Sequence, residues 1–589
     1  MTAFGFYTKE KEHQEHLLAL ANKKLNISSL IRLVIFLLAA FGVYYFFSEI
    51  RITGIIAAVA IVIFLILVSR HTDLKHKRDK IKELVRINEL ELRVLQRKFS
   101  DLPTGKEFED PLHSFSQDID LFGKGSFFQY LNRTSLKEGK RRLAHLLTEN
   151  SIENIPEKQE AIQELAEKVT WRQEFTAVAH LVKTETESDQ VLNWFNTYIS
   201  FAPRYIRWLS PLFSVVSILL VIGYFSDNVT GIQLFLWFLA GLLYSGIYLK
   251  KVNLLSGSVS RVQDTFHQYH QLLAMLENTE FSSKILKENK KKIKSEGRKA
   301  STIFKEFSKA IDALDQRNNF LLGVLLNGFL LWDVQKSYKL ESWIKASHQN
   351  VKDWFEVIEF TDAFNSLGNF AFNHPNYVFP ELTQTGIIVK AANLAHPLLD
   401  PEKVIANDFK IENEQFFIIT GANMAGKSTF LRTVSLQIVM GNIGLPVCAT
   451  SCEYHPIKLI TSMRTTDSLS DDESYFFSEL KRLQYIVGAI KTDKYFIILD
   501  EILKGTNSTD KAIGSRKFIQ KLVKSKSTGI IATHDLSLCE VSRELPQVQN
   551  HYFDAEIIHD ELHFDYKFKD GICQNMNASF LLKKMQIVD

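Results

Sequence analysis

Four apolar runs restrict the folds that this 589-residue chain can adopt. They cover residues 33–47, 52–68, 209–225 and 232–249, and a short polar turn separates the two runs of each pair. Each run is close to the length that crosses the hydrocarbon core of a bilayer, although the first is short. Runs this free of charge, placed in two close pairs, favour two transmembrane hairpins. The alternative is two buried hairpins in a soluble domain.

Positively charged residues lie outside both pairs of apolar runs, at Lys23, Lys24, Arg32, Arg70, Lys75, Arg204, Arg207, Lys250 and Lys251. The connecting turns hold little positive charge. Because cytoplasmic loops carry an excess of Lys and Arg, all three large segments are expected on the cytoplasmic side. The sequence therefore predicts a multi-pass protein of the cytoplasmic (inner) membrane.

A glycine-rich pattern follows an apolar run much later in the chain. Residues 416–419 predict a buried strand, residues 421–428 fit G-x-x-x-x-G-K-[ST], and residues 430–433 open a helix. In that setting backbone N–H groups surround phosphate oxygens, and the helix N-terminus adds partial positive charge. The predicted nucleoside triphosphate site consists of Gly421, Ala422, Asn423, Met424, Ala425, Gly426, Lys427, Ser428 and Thr429. Lys427 is expected to reach the β- and γ-phosphates, and Ser428 to bind Mg²⁺.

Two further apolar runs end in polar side chains suited to the same chemistry. Residues 495–499 predict a strand buried on both faces, and Asp500 and Glu501 follow it directly. Asp500 is predicted to hold Mg²⁺, and Glu501 to orient and deprotonate the attacking water. Residues 528–533 predict another strand, which ends at His534. His534 is a candidate sensor of the γ-phosphate, with a structural role as the alternative.

These segments resemble the MutS-type ATPases, a branch of the ABC class. The resemblance rests on residues 420–432, which contain the pair Asn423-Met424, and on residues 499–510, 532–535 and 577–580. It is strong over residues 385–589 and weak over 105–200 and 255–384. It implies an α/β P-loop ATPase domain that uses ATP and Mg²⁺ and forms a homodimer through that domain. Residues 396–399, followed by Asn407 and Asp408, resemble the start of this domain, where the family holds adenine.

The family completes each nucleotide site with a serine from the partner subunit, and Ser474 is the candidate for this role in trans. The three residues before it, Asp471, Asp472 and Glu473, replace the small and basic residues of the family pattern. Three carboxylates near a γ-phosphate repel it unless Mg²⁺ or basic side chains offset their charge. An acidic, solvated loop is the alternative interpretation of this segment.

The same features predict a multidomain chain. Residues 72–99, 155–180 and 262–314 are expected to be helical, because apolar residues recur at spacings of three and four. The expected parts are an N-terminal helical arm (1–29), a transmembrane hairpin (30–69), a cytosolic helical segment with a MutS-core-like part (70–203), a second transmembrane hairpin (204–251), a helical lever or core domain (252–384) and a MutS-like ATPase domain (385–589). The N-terminal mismatch-recognition domain of the family is expected to be lacking.

Two classes of function remain open at this point. The net charge of +3 gives the chain no overall basic character, but residues 284–299 are strongly basic. This stretch suits contact with the phosphates of DNA or of anionic lipids, and a solvated helix face is the alternative. The resemblance implies a membrane-anchored, mismatch-repair-related ATPase that clamps DNA without reading its bases. The other class is an ATP-driven factor that remodels membrane or envelope proteins, with unknown protein partners and no bound nucleic acid.

Overall fold

The computed structural model describes residues 2–181, 188–295, 298–384, 386–464, 475–504, 506–558 and 561–574. The chain is multidomain and mostly helical, and except for one short strand pair at residues 294–299 its described strands lie after residue 380. The first apolar pair belongs to two long helices, α1 (Ala3–Tyr45) and α2 (Ile50–Leu95). They run antiparallel, as shown by contacts between Lys11 and Glu89 at 3.0 Å and between Ser28 and His71 at 3.2 Å.

The helices α1 and α2 continue beyond the apolar runs without a break. Residues 29–30 and 69–70, where the sequence suggested domain boundaries, lie inside them. The start of α1 is anchored far from the apolar part, because Tyr7 is fully buried and donates a hydrogen bond to Asn373 at 2.8 Å. The N-terminal arm and the first apolar run are therefore parts of one continuous helix, and its first turns pack against the rest of the protein.

The part of the protein outside the four apolar runs is called the soluble body below. Its first helices are α3 (Phe127–Leu131), α4 (Lys137–Thr148), α5 (Ile155–Glu167), α6 (Val169–His180) and α7 (Ser188–Thr197). The second apolar pair lies in α8 (Ile206–Phe225) and α9 (Gly231–Asn278). Thr230 starts α9 with a capping box to Gln233, and the helix then runs from the apolar part into the soluble body. The polar turn that precedes it joins α8 and α9 into a hairpin.

The remaining helical part consists of α10 (Lys284–Lys292), strands β1 (Lys294–Ser295) and β2 (Arg298–Lys299), α11 (Ala300–Asp315), α12 (Phe320–Leu330) and α13 (Trp332–Asn373). The expectation of helix throughout residues 262–314 was wrong. Helix α9 ends at Asn278, and the antiparallel β1–β2 pair interrupts the basic stretch. Between α9 and α10 the backbone N–H groups of Ser282 and Ser283 donate to Glu164 of α5 at 2.8 Å each, so contacts with another segment replace helical hydrogen bonds there.

By length and composition, α1, α2, α8 and α9 can cross a membrane. Their apolar side chains are exposed rather than packed into the core: Leu38 and Phe41 are each 65% exposed, and Leu219 is 61% exposed. A shorter apolar helix, α12, accompanies them. The exposed apolar surface is therefore concentrated on these five helices and not spread over the soluble body.

The carboxyl-terminal third alternates strands and helices. Its elements are β3 (Glu381–Leu382), β4 (Ile387–Leu394), β5 (Asn407–Glu412), β6 (Phe416–Gly421), α14 (Lys427–Asn442), β7 (Ser451–Tyr454), β8 (Lys458–Ser462), α15 (Tyr475–Ala489), β9 (Tyr495–Asp500), α16 (Ser508–Lys524), β10 (Thr528–Ala532), α17 (Val541–Glu544), β11 (Val548–Phe553), β12 (Ala555–Ile558), β13 (Glu561–Phe564) and β14 (Lys569–Asp570). Six strands form one sheet in the order β14-β11-β6-β10-β9-β8, and all its pairs are parallel except β11–β14. Strands β6 and β10 are buried along their whole length, as expected for central strands covered on both faces.

Helix α13 packs against α4 through an unusually close contact at Gly139. Asp362 on α13 is buried and accepts hydrogen bonds from the backbone N–H groups of Ser135 at 3.0 Å and Leu136 at 2.9 Å, so it holds the two residues directly before α4. A Cβ atom at position 139 would lie 2.1 Å from Asp362 Oδ2. Burial raises the pKa of Asp362 to about 7, because the carboxylate is removed from water.

We expect Gly139→Ala to destabilise the protein, although alanine normally favours a helix. The new methyl group displaces the Asp362 carboxylate, and the lost hydrogen bonds to Ser135 and Leu136 together with overpacking cost about 1–3 kcal/mol. Gly257→Ala is the matched control, because Gly257 is exposed on α9 and a Cβ atom there has no neighbour within 4 Å. The measurement is the midpoint of thermal unfolding in detergent, followed by circular dichroism. Gly257→Ala should leave it unchanged or raise it, and an equal response of both variants would contradict the packing argument.

Candidate functional site

Three parallel strands end side by side at one edge of the six-stranded sheet. Strand β10 lies between β6 and β9, and Ala532 at its end pairs with Ile419 on one side and with Asp500 on the other. The segments that follow these strands therefore meet at the carboxyl edge, where open α/β sheets bind ligands. The predicted site residues 421–429, 500, 501 and 534 all come from these segments.

The segment after β6 forms a tight loop that needs its glycines. Gly421 and Gly426 have φ angles of 148° and 105°, and Met424 between them has a φ of 67°. A Cβ atom on Gly421 would lie 2.5 Å from the carbonyl oxygen of Phe553, so no larger residue fits there. Helix α14 begins at Lys427, three residues earlier than the helix start expected from the sequence. The loop thus leads directly into a helix N-terminus, where N–H groups lack partners within the helix.

The side chain of Lys427 folds back over this loop. Its Nζ donates hydrogen bonds to the carbonyl oxygens of Gly421 at 2.7 Å and Ala422 at 2.9 Å. Burial lowers the pKa of Lys427, because the ammonium is removed from water, and the carboxylates of Asp500 and Glu501 partly oppose this. A polyanion in the cleft would restore the preference for the charged form.

Ser428 and Asp500 bring two oxygen atoms together on the other side of the cleft. The Ser428 hydroxyl donates to Asp500 Oδ2 at 2.7 Å. One carboxylate and one hydroxyl suit Mg²⁺, which takes few protein ligands and is completed by water and phosphate oxygens. Within the described residues there is no cluster of three or more His, Cys, Asp or Glu side chains that fits a metal held by protein alone.

Glu501 and His534 are within hydrogen-bond distance, with Oε1 and Nε2 3.0 Å apart. The hydrogen bond from His534 lowers the pKa of Glu501 to about 2 and keeps it ionised at neutral pH. Lys427 Nζ lies 3.4 Å from the same imidazole nitrogen. When Nε2 carries a proton it can donate to Glu501 but cannot accept a hydrogen bond from Lys427. Glu501 itself has a φ of 49°, and its backbone N–H donates to Ala532 at 2.9 Å.

The far half of the cleft is apolar and aromatic. The whole cleft has a volume of about 590 Å³, and its lining in this half consists of His396, Leu399, Val404, Ile405, Phe553 and Tyr566. Asn407 holds the segment with Tyr566 in place, because its side chain donates to the Tyr566 carbonyl at 3.0 Å and accepts from Phe568 N–H at 2.8 Å. The residues that the resemblance linked to adenine binding, 396–399 and 407, therefore line or support the same cleft as the loop. Asp408 instead accepts a hydrogen bond from Asn393 N–H at 2.9 Å.

The candidate Ser474 and the acidic run Asp471–Glu473 lie outside the described residues. The described residues that border this segment are fixed by contacts which the sequence did not indicate. On one side, Arg464 forms two hydrogen bonds with Asp120, at 2.6 and 3.0 Å. On the other side, Glu479 on α15 is buried and accepts from the backbone N–H groups of Leu503 at 2.5 Å and Lys504 at 3.0 Å.

These contacts join distant parts of the chain to the cleft. Asp120 also pairs with Arg432 on α14 at 3.2 Å. One carboxylate therefore bridges α14, the helix after the glycine-rich loop, and Arg464, the last residue before segment 465–474. Nearby, Asp118 accepts from Thr461 on β8 and from Arg464 N–H, at 2.5 and 2.8 Å. Sequence patterns could not reveal these residues, because their partners lie more than 300 positions away.

Comparison with known proteins places this geometry in a family context. Residues 417–585 match the family model "MutS domain V". This segment contains the glycine-rich loop, Asp500, Glu501 and His534.

Similar proteins carry MutS names. Human "MutS protein homolog 4" is 34% identical over 214 residues, which are 34% of this chain and 22% of that protein. "DNA mismatch repair protein MutS" of Staphylococcus haemolyticus is 28% identical over 268 residues, or 44% of this chain and 30% of that protein. The protein of the same name from Thermotoga maritima is 31% identical over 216 residues, or 36% and 27% of the two chains. The matched parts thus span less than a third of these relatives, and the domain match covers only residues 417–585 of this chain.

Proposed function

We propose that this protein binds and hydrolyses ATP with Mg²⁺ in the cleft at the end of β6. The observation that carries the proposal is the convergence of Lys427, Ser428, Asp500 and Glu501 on one cleft of about 590 Å³. The polar half of this cleft matches the demands of a triphosphate, and the apolar half has room for a base. The match of residues 417–585 to MutS domain V supports the same function.

Each polar side chain has a distinct role in this proposal. Lys427 exchanges the carbonyl oxygens of Gly421 and Ala422 for β- and γ-phosphate oxygens. Ser428 and Asp500 hold Mg²⁺, which supplies charge neutralisation on the phosphates. Glu501 accepts a hydrogen bond from the attacking water and takes its proton as the new P–O bond forms and the bond to the leaving diphosphate breaks. His534 orients Glu501, and the weakening of that contact returns the carboxylate toward its usual basicity.

Glu501→Gln should retain ATP binding and lose most turnover. The amide keeps the shape of the side chain but cannot accept the proton, and removal of a general base costs about 10²–10⁴-fold in rate. The measurements are ATP affinity by fluorescent-analogue titration and phosphate release at saturating ATP, both in detergent.

Two companion variants sharpen this test. Lys427→Ala should lose affinity for ATP, because it removes the positive charge that contacts the phosphates. Glu412→Gln makes the same chemical change on β5, where Glu412 pairs with Lys410 at 2.7 Å and does not line the cleft, and it should behave as wild type. Wild-type phosphate release by Glu501→Gln would refute the assignment of the base.

The active form in this proposal is a homodimer that joins two ATPase domains, each covering the other's nucleotide with Ser474. Support comes from the resemblance to a family with such sites and from the borders of segment 465–474. Arg464 connects to α14 through Asp120, and Glu479 holds Lys504, which lines the cleft. A two-fold dimer closes with two equivalent sites. ATP that is bound but not hydrolysed favours the closed form, because it is bound by both subunits.

Mixing two inactive variants should restore part of the ATPase activity. In a mixed dimer of Ser474→Ala and Lys427→Ala subunits, only one site combines an intact loop with an intact serine. That site restores at most about a quarter to a half of the activity, depending on how subunits exchange. The measurement is phosphate release against mixing ratio, with mass in detergent recorded with and without ATP. Activity of a monomer that is independent of protein concentration would contradict the dimer.

The proposed location is the cytoplasmic (inner) membrane, with the ATPase domain in the cytoplasm. Helices α1, α2, α8 and α9 expose long apolar surfaces that a soluble monomer does not tolerate. The apolar parts end where charged residues begin, and the positive residues are on the side of the soluble body. Continuous helices connect these apolar parts to the domain that contains the cleft.

DNA is the proposed partner of the basic stretch, which would bind the phosphate backbone without reading bases. Part of the stretch is already neutralised: Lys284 pairs with Glu157, Lys290 with Glu280 and Arg298 with Glu306. Five exposed lysines of the stretch make no salt bridge with the described residues. One of them, Lys299, donates a hydrogen bond to Asn278 at 3.2 Å, and the other four are Lys287, Lys291, Lys292 and Lys294. They leave a compact positive surface on α10 and β1. The MutS names of the relatives support DNA as its ligand.

Replacement of these four lysines by glutamine should weaken DNA binding and flatten its salt dependence. Each lost phosphate contact reduces the slope of log K against log[salt] by about 0.9, so the slope should fall by up to about 4. A matched control replaces Lys517, Lys521, Lys524 and Lys526, at or near the end of α16, and removes the same charge from the ATPase domain. The measurements are binding of duplex DNA between low and high salt and the stimulation of ATP hydrolysis by DNA.

The alternative function, ATP-driven remodelling of membrane or envelope proteins, is favoured by the continuity of the apolar helices with the soluble body. The same experiment separates the two. An ATPase rate that is unchanged by DNA, together with equal weak binding by the wild type and both lysine variants, would contradict the DNA proposal and favour the alternative.

A further inference from the structure

The helix α12 is apolar on all sides and largely uncovered. Its 11 residues, Phe-Leu-Leu-Gly-Val-Leu-Leu-Asn-Gly-Phe-Leu, contain one polar side chain, that of Asn327. Phe320 is 78% exposed, Leu321 72% and Leu325 52%. An apolar helix on a soluble protein normally buries one face against the core and presents polar residues to water. α12 presents apolar residues to its surroundings instead.

α12 lies directly against the second apolar hairpin. Gly328 approaches α9 so closely that a Cβ atom on Gly241 would lie 2.2 Å from the Gly328 carbonyl oxygen. Phe329 packs against Phe238 of α9, with ring centroids 5.1 Å apart. On the other side, Ser210 of α8 donates to the Leu330 carbonyl at 3.3 Å. The exposed face of α12 is therefore continuous with the exposed apolar faces of α8 and α9.

Polar contacts hold both ends of α12 on the side of the soluble body. Arg317, before the helix, pairs with Asp333, after it, at 3.1 Å, and both side chains are nearly buried. Arg317 also donates to Asn253, which lies beyond the apolar part of α9, at 2.7 Å. The residues before and after α12 are thus joined by one ion pair. At about 1.5 Å per residue, 11 residues extend about 16 Å, half the hydrocarbon thickness of a bilayer.

We propose that α12 is a re-entrant membrane helix, embedded in the cytoplasmic leaflet beside α8 and α9, with Phe320, Leu321 and Leu325 in contact with lipid acyl chains. The inference rests on the proposed membrane location of α8 and α9 and adds a fifth membrane segment to it. The backbone of a helix satisfies its own hydrogen bonds, so a half-length helix is stable at this depth if its ends are capped. Asn319 accepts from Leu322 N–H at 3.3 Å at one end, and Asn327 accepts from Asp333 N–H at 3.0 Å at the other.

The position of α12 gives the helical part of the protein a direct connection to one leaflet. Only Leu331, with a φ of 51°, separates α12 from α13. Helix α13 then runs for 42 residues to the contacts of Asn373 with Tyr7 and of Asp362 with the start of α4. A tilt of α13 would move α12 within the leaflet, because the hinge between them is a single residue.

The test places an environment-sensitive fluorophore on single introduced cysteines of the full chain in phosphatidylcholine vesicles. Leu321→Cys and Leu325→Cys probe α12, and Leu219→Cys, on the 61% exposed face of α8, probes a proposed span. Ile513→Cys, 49% exposed on α16, is the control in the ATPase domain. The parent chain, labelled in parallel, gives the background of the native cysteines. Quenchers are attached to lipid acyl chains in one set of vesicles, and iodide is the water-soluble quencher in another.

Acyl-chain quenchers should reduce the fluorescence at positions 219, 321 and 325 and leave position 513 unchanged, and iodide should do the reverse. Quenching by lipid at 219 but not at 321 and 325 would overturn the re-entrant helix and leave the membrane proposal intact. A lack of lipid quenching at 219 would contradict the membrane location itself. Protection of 321 from both quenchers, with disulfide cross-links between two Leu321→Cys chains, would show that a second copy covers α12 and would also overturn the proposal.

Discussion

Unbroken backbone hydrogen bonding along α1, α2 and α9 is the constraint on which the rest of this structure depends. Each helix carries an apolar stretch and a charged stretch in one continuous element. In lipid every backbone group needs a partner within the protein, so a break at the apolar boundary would leave unpaired groups there. The continuity has a second effect: the soluble ends of these helices cannot move without the apolar ends. Helix α9 shows this most directly, because Val252, Phe266 and Leu273 in its soluble half are core residues.

Helix α13 contacts both α1 and α2 near its carboxyl-terminal end. Asn369 accepts hydrogen bonds from Tyr7 of α1 and Arg172 of α6 at 3.2 and 2.9 Å. Asn373 accepts from Tyr7 and donates to Glu91 of α2, both at 2.8 Å. Glu91 is almost fully buried and is neutralised by Arg133 at 2.6 Å, so the cluster holds a paired charge rather than an isolated one. Loss of either partner would leave a buried charge without compensation. Such a cluster favours one arrangement of α1, α2 and α13 over others that bury the same apolar area.

The cleft connects to this helical assembly through short polar contacts rather than through a shared apolar surface alone. Asp118 and Asp120 lie between α2 and α3 in sequence, and they bind Thr461, Arg464 and Arg432 around the edge of the sheet. Arg432 lies on α14, the helix that follows the glycine-rich loop, so a shift of α14 acts directly on the contact between Arg432 and Asp120. Charge-assisted hydrogen bonds of this kind have strict geometry, and they respond to small displacements more sharply than apolar contacts do.

The difference between what the sequence revealed and what it did not follows from the range of the interactions. The loop at 421–429 and the strands ending at Gly421, Asp500 and Ala532 depend on local signals, namely buried apolar runs followed by glycine or a carboxylate, and the structure has them at those positions. The contacts of Asp120 and Asp362 could not be found in this way, because their partners lie more than 200 positions away in the chain. The helix α12 shows the same limit differently. Its 11 residues are too few for a span, and only the contacts of Gly328 and Phe329 with Gly241 and Phe238 reveal that it lies beside the second apolar hairpin. Local sequence thus determines the chemistry at the strand ends, whereas the coupling of that chemistry to the apolar helices arises from contacts between segments that no local pattern connects.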